Sequence, residues 1–358
     1  MFKNMPEVSK DKSKPSQRNR LPWLLGLAGF LTVCLLAALV AAGVWYFTTG
    51  PGSGRTQPAI TQPQPGSPPP AGVATGQPPP ASTLPTPGSP STAGFATARG
   101  KIAFSIDRGE RPEDKYVWIM NADGSGAKQL FDRASSPALS PDGNLIAYYH
   151  WTDGIFVANT DGTNAHKILG ETNAKYLTWS HDGKWLAFSS QPTFKGNVNI
   201  DAVLVDGSQR RTIIIGGSVP TWSPDDKEMA FHTCQASVCG IYKASTAGGG
   251  FTLVAGALAT SPSWSPDGGK IVYHADADSV RQIFLVNPNG SGKKQLTTGA
   301  TMHVDPQWSL DGASIYYSSP EGGRWGIWRM NADGTNPVRI AETGVPVDLA
   351  FERLAISK

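Results

Sequence analysis

Three patterns of apolar and polar positions divide the chain. Leu21 to Phe47 is an unbroken stretch of 27 residues without a charged side chain. As a helix it is roughly 40 Å long, against a hydrocarbon core of about 30 Å, so the pattern predicts a transmembrane helix. Trp23 lies near one end and Trp45-Tyr46 near the other, where interfacial aromatics belong. Residues 48–97 show no period and hold 13 prolines, with Gly, Ser, Thr, Gln and Ala filling most of the rest. Such a segment cannot bury a core and is expected to be a disordered or partly polyproline II linker. From residue 98 onward, short apolar runs alternate with turn signals, and the pattern repeats.

The repeat is carried by Ser140-Pro141-Asp142-Gly143, which recurs as Ser180-His181-Asp182-Gly183, Ser223-Pro224-Asp225-Asp226, Ser265-Pro266-Asp267-Gly268 and Ser309-Leu310-Asp311-Gly312, at spacings of 40, 43, 42 and 44 residues. Trp179, Trp222, Trp264 and Trp308 precede four of them. Each is followed by an apolar triplet such as Ile146-Ala147-Tyr148 or Leu186-Ala187-Phe188, then by a further strand and a second turn such as Asn121-Ala122-Asp123-Gly124 or Asn331-Ala332-Asp333-Gly334. Ser-Pro-Asp-Gly suits a type I turn, and Asp-Gly between apolar runs signals a hairpin. Each unit is therefore strand, turn, strand, loop, strand, turn, strand. A four-stranded sheet with two apolar faces cannot bury both alone, but radially packed copies can, which predicts a β-propeller. The first unit opens directly on its second strand at Gly100-Lys101-Ile102-Ala103-Phe104. The last overshoots through Val345 to Leu354. The surplus strand is expected to complete the first blade and remove the exposed edges. Six second strands give six blades.

These residues resemble the TolB-type propeller family, whose units read Pro-x-Trp-Ser-Pro-Asp-Gly, then Ile-Ala-Phe, then Asn-Ala-Asp-Gly. The resemblance covers residues 98–358. It implies a periplasmic or cell-surface protein that binds partner proteins or peptides at one propeller face. Related propellers gate substrates in prolyl-oligopeptidase-like hydrolases.

Charge sharpens the organisation. The formal net charge is +3, yet residues 1–20 alone carry Lys3, Lys10, Lys12, Lys14, Arg18 and Arg20 against Glu7 and Asp11, so the remainder holds one net negative charge. A near-neutral outer domain excludes an electrostatic case for nucleic-acid binding. The basic residues all precede the apolar run, which places residues 1–20 in the cytoplasm and the propeller outside, periplasmic or at the cell surface, on a single-pass membrane anchor. A signal peptide cleaved near Ala41-Ala42-Gly43 is the competing reading. The chain thus reads as a cytoplasmic tail (1–20), a transmembrane helix (21–47), a proline-rich linker (48–97) and an all-β six-bladed propeller (98–358).

Candidate chemistry is sparse. There is no Gly-x-Ser-x-Gly elbow, and Gly290-Ser291-Gly292-Lys293 lacks the Ser or Thr that completes a phosphate-binding loop. The Asn- and Asp-rich turns lack the distal Glu of a helical calcium loop and read as turn formers. No catalytic residue and no cofactor are expected. Aligned second strands place Ser105, Tyr149, Ser189, His232, His274 and Ser318 in one column, with His150 in the next. Three histidines there raise a metal site, against which stands the use of strand-end polar groups to satisfy neighbouring backbone. The recurring Trp are expected to pack blade on blade. Cys234 and Cys239, separated by four residues across a hairpin in an oxidising compartment, are expected to form a disulfide.

Both tight turns of each blade fall on one face of the propeller. The loops Asp107–Lys115, Trp151–Asp153, Gln191–Asn199, Thr233–Cys239, Ala275–Arg281 and Ser319–Trp325 fall on the other and are diverse. Diverse loops on a rigid scaffold carry binding. His150, Trp151, His232, His274, Arg281, His303, Asp305 and Arg324 are the candidate ligand or partner contacts on that face and at the channel mouth. The sequence thus points to an extracytoplasmic module binding a protein, peptide or cell-envelope polymer. The alternative is a propeller enzyme, such as a polysaccharide lyase using His and a metal.

Overall fold

The computed structural model describes residues 100–109, 114–151, 153–191, 198–344 and 353–357. Their strands form six four-stranded antiparallel sheets. Blade 1 comprises Lys101–Asp107, Lys115–Asn121 and Lys128–Asp132, with Ala355–Ile356 added from the far end of the chain. Blade 2 runs from Ala134–Leu139 to His166–Leu169, blade 3 from Ala174–Trp179 to Arg210–Ile214 and blade 4 from Ser218–Trp222 to Thr252–Ala255. Blade 5 runs from Thr260–Trp264 to Lys294–Gln295 and blade 6 from Val304–Trp308 to Val338–Glu342. The first strands of blades 2–6 touch one another in succession, and Ala355–Ile356 touches those of blades 2 and 6, so the ring is closed.

The closing strand lies just beyond the Val345–Leu354 stretch that the sequence pattern favours. Ile356 pairs with Ile102 and Ala355 with Ala103. Register explains the shift. Leu354 and Ile356 then join Ile102 and Phe104 in the core against blade 6, while Ala355 joins Ala103 on the blade 2 side. A one-residue slip would exchange the two faces.

The apolar triplets divide themselves between two cores in the same way. In blade 3, Leu186 and Phe188 pack toward blade 2 while Ala187 packs toward blade 4. In blade 4, Met229 and Phe231 face blade 3 and Ala230 faces blade 5. The large residues at the ends of the triplet thus fill the interface with the preceding blade, and the small middle residue lets the next blade approach. The repeated Trp belong to this packing. Trp179 Nε1 donates to Ala138 O of blade 2 at 3.0 Å and Trp222 Nε1 to Thr178 O of blade 3 at 3.3 Å. Trp264 joins the core shared with blade 4 and Trp308 that shared with blade 5.

The turns show why Ser and Asp recur. The Ser180 hydroxyl donates to Asp182 Oδ1 at 2.7 Å and accepts from Trp185 N at 2.9 Å. The same pair of bonds is formed by Ser140, Ser223, Ser265 and Ser309. In the second turn Asp123 accepts from both the amide and the hydroxyl of Ser125. These carboxylates are engaged within their own turns, and the hydroxyl bonds, first among the causes, hold their pKa below the usual carboxylate range. Asp226 replaces the glycine of the first turn at φ 59° and gains a role by it. Its carboxylate accepts from His181 N at 2.8 Å and Asp182 N at 2.9 Å, tying blade 4 to blade 3. Ser180→Ala is expected to lower stability by about 1 kcal/mol, read from urea unfolding midpoints, because it strands the Trp185 amide as well as freeing the carboxylate.

Candidate functional site

In every blade from 2 to 6 the innermost strand is bulged. Its register with the second strand slips between Ser135 and Ala138, Lys175 and Thr178, Ser218 and Thr221, Thr260 and Ser263, and Val304 and Gln307. Each bulge holds a non-glycine residue at positive φ: Ser136, Tyr176, Val219, Ser261 and Asp305. Proline follows four of them (Pro137, Pro220, Pro262 and Pro306) and withholds the amide that a regular ladder would need. Bulges of this kind re-aim side chains beside functional sites. Here they set one such residue from each of blades 2–6 around the waist of the channel.

Blade 1 contributes Arg353, just before the closing strand. Its Nη1 donates to Pro220 O and its Nη2 to Val219 O, each at 2.8 Å, and its guanidinium carbon lies 6.0 Å from the Tyr176 ring centroid. Blades 1 and 4 stand opposite in a ring of six, so this side chain reaches across the channel and obstructs its waist. Burial lowers the Arg353 pKa to about 10, opposed by the Asp305 carboxylate, and the group remains a cation at neutral pH.

On the loop side of that waist, blades 5 and 6 assemble a polar cluster. His274 is buried, and its Nδ1 accepts from Asp305 N at 3.1 Å, which puts the imidazole proton on Nε2. Burial, then the charges of Arg281 and Arg353, hold its pKa down to about 3. Asp305 accepts from the Ser261 hydroxyl at 2.8 Å. His303 Nδ1 lies 3.0 Å from Gln282 Oε1, its Nε2 lies 3.4 Å from Glu321 Oε2, and its amide donates to Arg281 O at 2.9 Å. Gln282 in turn donates to Gly299 O and Thr301 O, fixing the loop that enters blade 6. The aligned polar column has a structural use at two of its positions. Ser189 Oγ accepts from Val219 N at 2.9 Å, as His274 accepts from Asp305 N, each bond joining a blade to the bulge of the next.

Of the sequence candidates, His274, Arg281, His303 and Asp305 thus come together. The others stand apart. His150 Nδ1 lies 2.9 Å from Asp153 Oδ2 and Trp151 packs edge-on against Tyr149, both in blade 2. His232 is half-buried in blade 4, where burial lowers its pKa. Arg324 is exposed and bonds Glu342 at 2.7 Å. The three column histidines do not converge, and among the described residues no group of three His, Cys, Asp or Glu side chains is arranged to hold a metal ion. Arg353, Gln282 and Glu321 belong to the site and escape the sequence pattern. Arg353 lies outside every repeat. The bulge residues could have been found from the proline two positions before Trp222, Trp264 and Trp308.

Cys234 and Cys239 pair directly across the blade 4 hairpin, with Cα atoms 3.9 Å apart, and are joined by a disulfide. Thiol alkylation of the unfolded protein is expected to label them only after reduction; labelling without reductant would contradict the bridge.

Residues 220–347 match the model of the TolB β-propeller domain. Two solved structures share the architecture. TolB from Acinetobacter baumannii is 21% identical with a TM-score of 0.63, over 74% of this chain and 68% of that one. A TolB-like protein from Agrobacterium tumefaciens is 19% identical with a TM-score of 0.57, over 73% of this chain and 99% of that one. Among curated protein sequences nothing matches. At these identities the structural likeness establishes the fold: the described domain is a six-bladed β-propeller, and residues 220–347 of it match the TolB propeller model.

Proposed function

We propose that this chain is a membrane-tethered binding protein whose propeller receives a protein, a peptide or a cell-envelope polymer at the loop-face mouth of its channel. The observation that carries the reading is the polar cluster on the loop side of blades 5 and 6. His303 joins the backbone of Arg281 and the side chains of Gln282 and Glu321, and His274 bonds Asp305 between the blades. A preorganised polar mouth with a barred floor suits capture better than passage. In this reading residues 1–20 lie in the cytoplasm, Leu21 to Phe47 crosses the membrane, and residues 48–97 space the propeller from it. These segments lie outside the described residues, and no helix among the described residues is long and apolar enough to cross a membrane. The basic tail, the uncharged run and the proline content support the arrangement.

The test is affinity capture from solubilised cell envelope with the full chain as bait, run beside Arg281→Glu with Glu321→Lys on the mouth and Lys128→Glu on the tight-turn face. All three replaced side chains are exposed. The reading expects a stoichiometric partner with wild type and Lys128→Glu, and loss of most of it with the mouth variant. A partner retained by the mouth variant and lost by Lys128→Glu would place binding on the opposite face.

A further inference from the structure

The channel has a second mouth, on the tight-turn face, which the proposed function leaves unused. It opens into a cavity of about 330 Å³ walled by Trp179, Trp222, Trp264 and Trp308, with Pro266 and Leu310 among the lining side chains. Among the described residues no carboxylate lines it, and Arg353 and His181 supply its basic side chains. The four indoles are not equivalent. Trp179 and Trp222 donate their N–H groups to the preceding blade, whereas Trp264 Nε1 and Trp308 Nε1 are buried without an acceptor. Gln307 Nε2 and Arg353 Nε, in the same wall, are also without one.

A proline-rich strand suits such an indole-lined wall, because its pyrrolidine faces pack into aromatic grooves. This chain carries a proline-rich segment just before the propeller in sequence. Residues 79–97 include Pro79, Pro80, Pro85, Pro87 and Pro90 and no charged side chain. The chain enters the propeller at Gly100 on the tight-turn face, where Gly100 O accepts from Ala122 N beside the second turn of blade 1. The strand it enters, Lys101–Asp107, pairs directly with Ala355–Ile356, and both Ala355 and Ile356 line the cavity. The entry point is thus one strand spacing, about 4.8 Å, from the wall. As polyproline II the residues from Leu84 to Gly100 reach about 50 Å, ample for the segment to fold back.

We infer that the tryptophan-lined cavity docks the chain's own proline-rich segment, residues 79–97. The docked segment would cover the propeller face opposite the partner-binding mouth. The claim stands apart from the loop-face reading, since it concerns the other mouth.

The experiment uses the full chain with p-benzoylphenylalanine in place of Leu84, irradiated and mapped by mass spectrometry. The expected result is cross-linking to the lining residues around Trp264, Trp308 and Leu310. That signal should fall to background when Pro79, Pro80, Pro85 and Pro87 are all replaced by Ala, changes that leave every described residue untouched. Mixing isotope-labelled with unlabelled chains shows whether the link lies within one chain. Cross-links to other surfaces, cross-links that survive the alanine replacements, or cross-links only between chains would each overturn the inference.

Discussion

A chain truncated after Glu352 is expected to melt about 10 °C or more below the full chain, a shift corresponding to roughly 5 kcal/mol at 2–4 °C per kcal/mol. Three losses add up. Removing Ala355–Ile356 exposes the ladder edge of Lys101–Asp107, which is otherwise paired. Removing Leu354 takes a buried side chain from the core between blades 1 and 6, at about 2 kcal/mol. Removing Arg353 leaves the carbonyls of Val219 and Pro220 without their donors, at about 1–3 kcal/mol each. The total is a large share of the 5–15 kcal/mol typical of a folded domain. Scanning calorimetry of truncated and full chains measures it. Arg353→Lys should fall between them, because an ammonium cannot span two carbonyls as the guanidinium fork does. An unchanged melting temperature in the truncated chain would show that the ring holds without its last strand.

The second large effect is on acid stability. His274 titrates near 6.5 when unfolded and near 3 when folded, first because it is buried and then because Arg281 and Arg353 lie near it. Between those values the unfolded chain binds a proton that the folded chain refuses, so stability falls as pH falls through that window. Above pH 6.5 the group contributes no slope. The limiting slope for one such site is about 1.4 kcal/mol per pH unit. Burial lowers the titration of His303 and His232 as well, which adds loss of the same sign. Urea unfolding from pH 7 to pH 4 should therefore show a steep decline in wild type. His274→Asn, which keeps a side-chain acceptor and removes the titration, should decline less steeply. Parallel curves for the two proteins would remove His274 as the cause.

The repeat made the propeller legible because each turn states its own geometry. Ser180 and Asp182 bond each other within three residues, and Leu186-Ala187-Phe188 distributes itself between two cores by alternation alone. The site was legible only in part. His274, Arg281, His303 and Asp305 stand out as polar residues near strand ends, but so do His150 and Arg324, which the fold sends elsewhere. What separates them is contact between blades, as between Asp305 N and His274 across 31 positions. Arg353 was invisible for the same reason. Its partners Val219 and Pro220 lie more than 130 residues away, across a channel that exists only once the ring has closed. The bulges leave a weaker trace, a proline two residues before a tryptophan, which reads as packing until the register slip is seen.

The central claim is that this propeller binds at the loop-face mouth formed by blades 5 and 6. Amide hydrogen exchange of the full chain, with and without the partner that it captures, tests this most directly. The account predicts new protection in the segments around Arg281, His303 and Glu321, with the Ser-Pro-Asp-Gly turns unchanged. Protection confined to those turns, with the blade 5 and 6 loops unaltered, would contradict it.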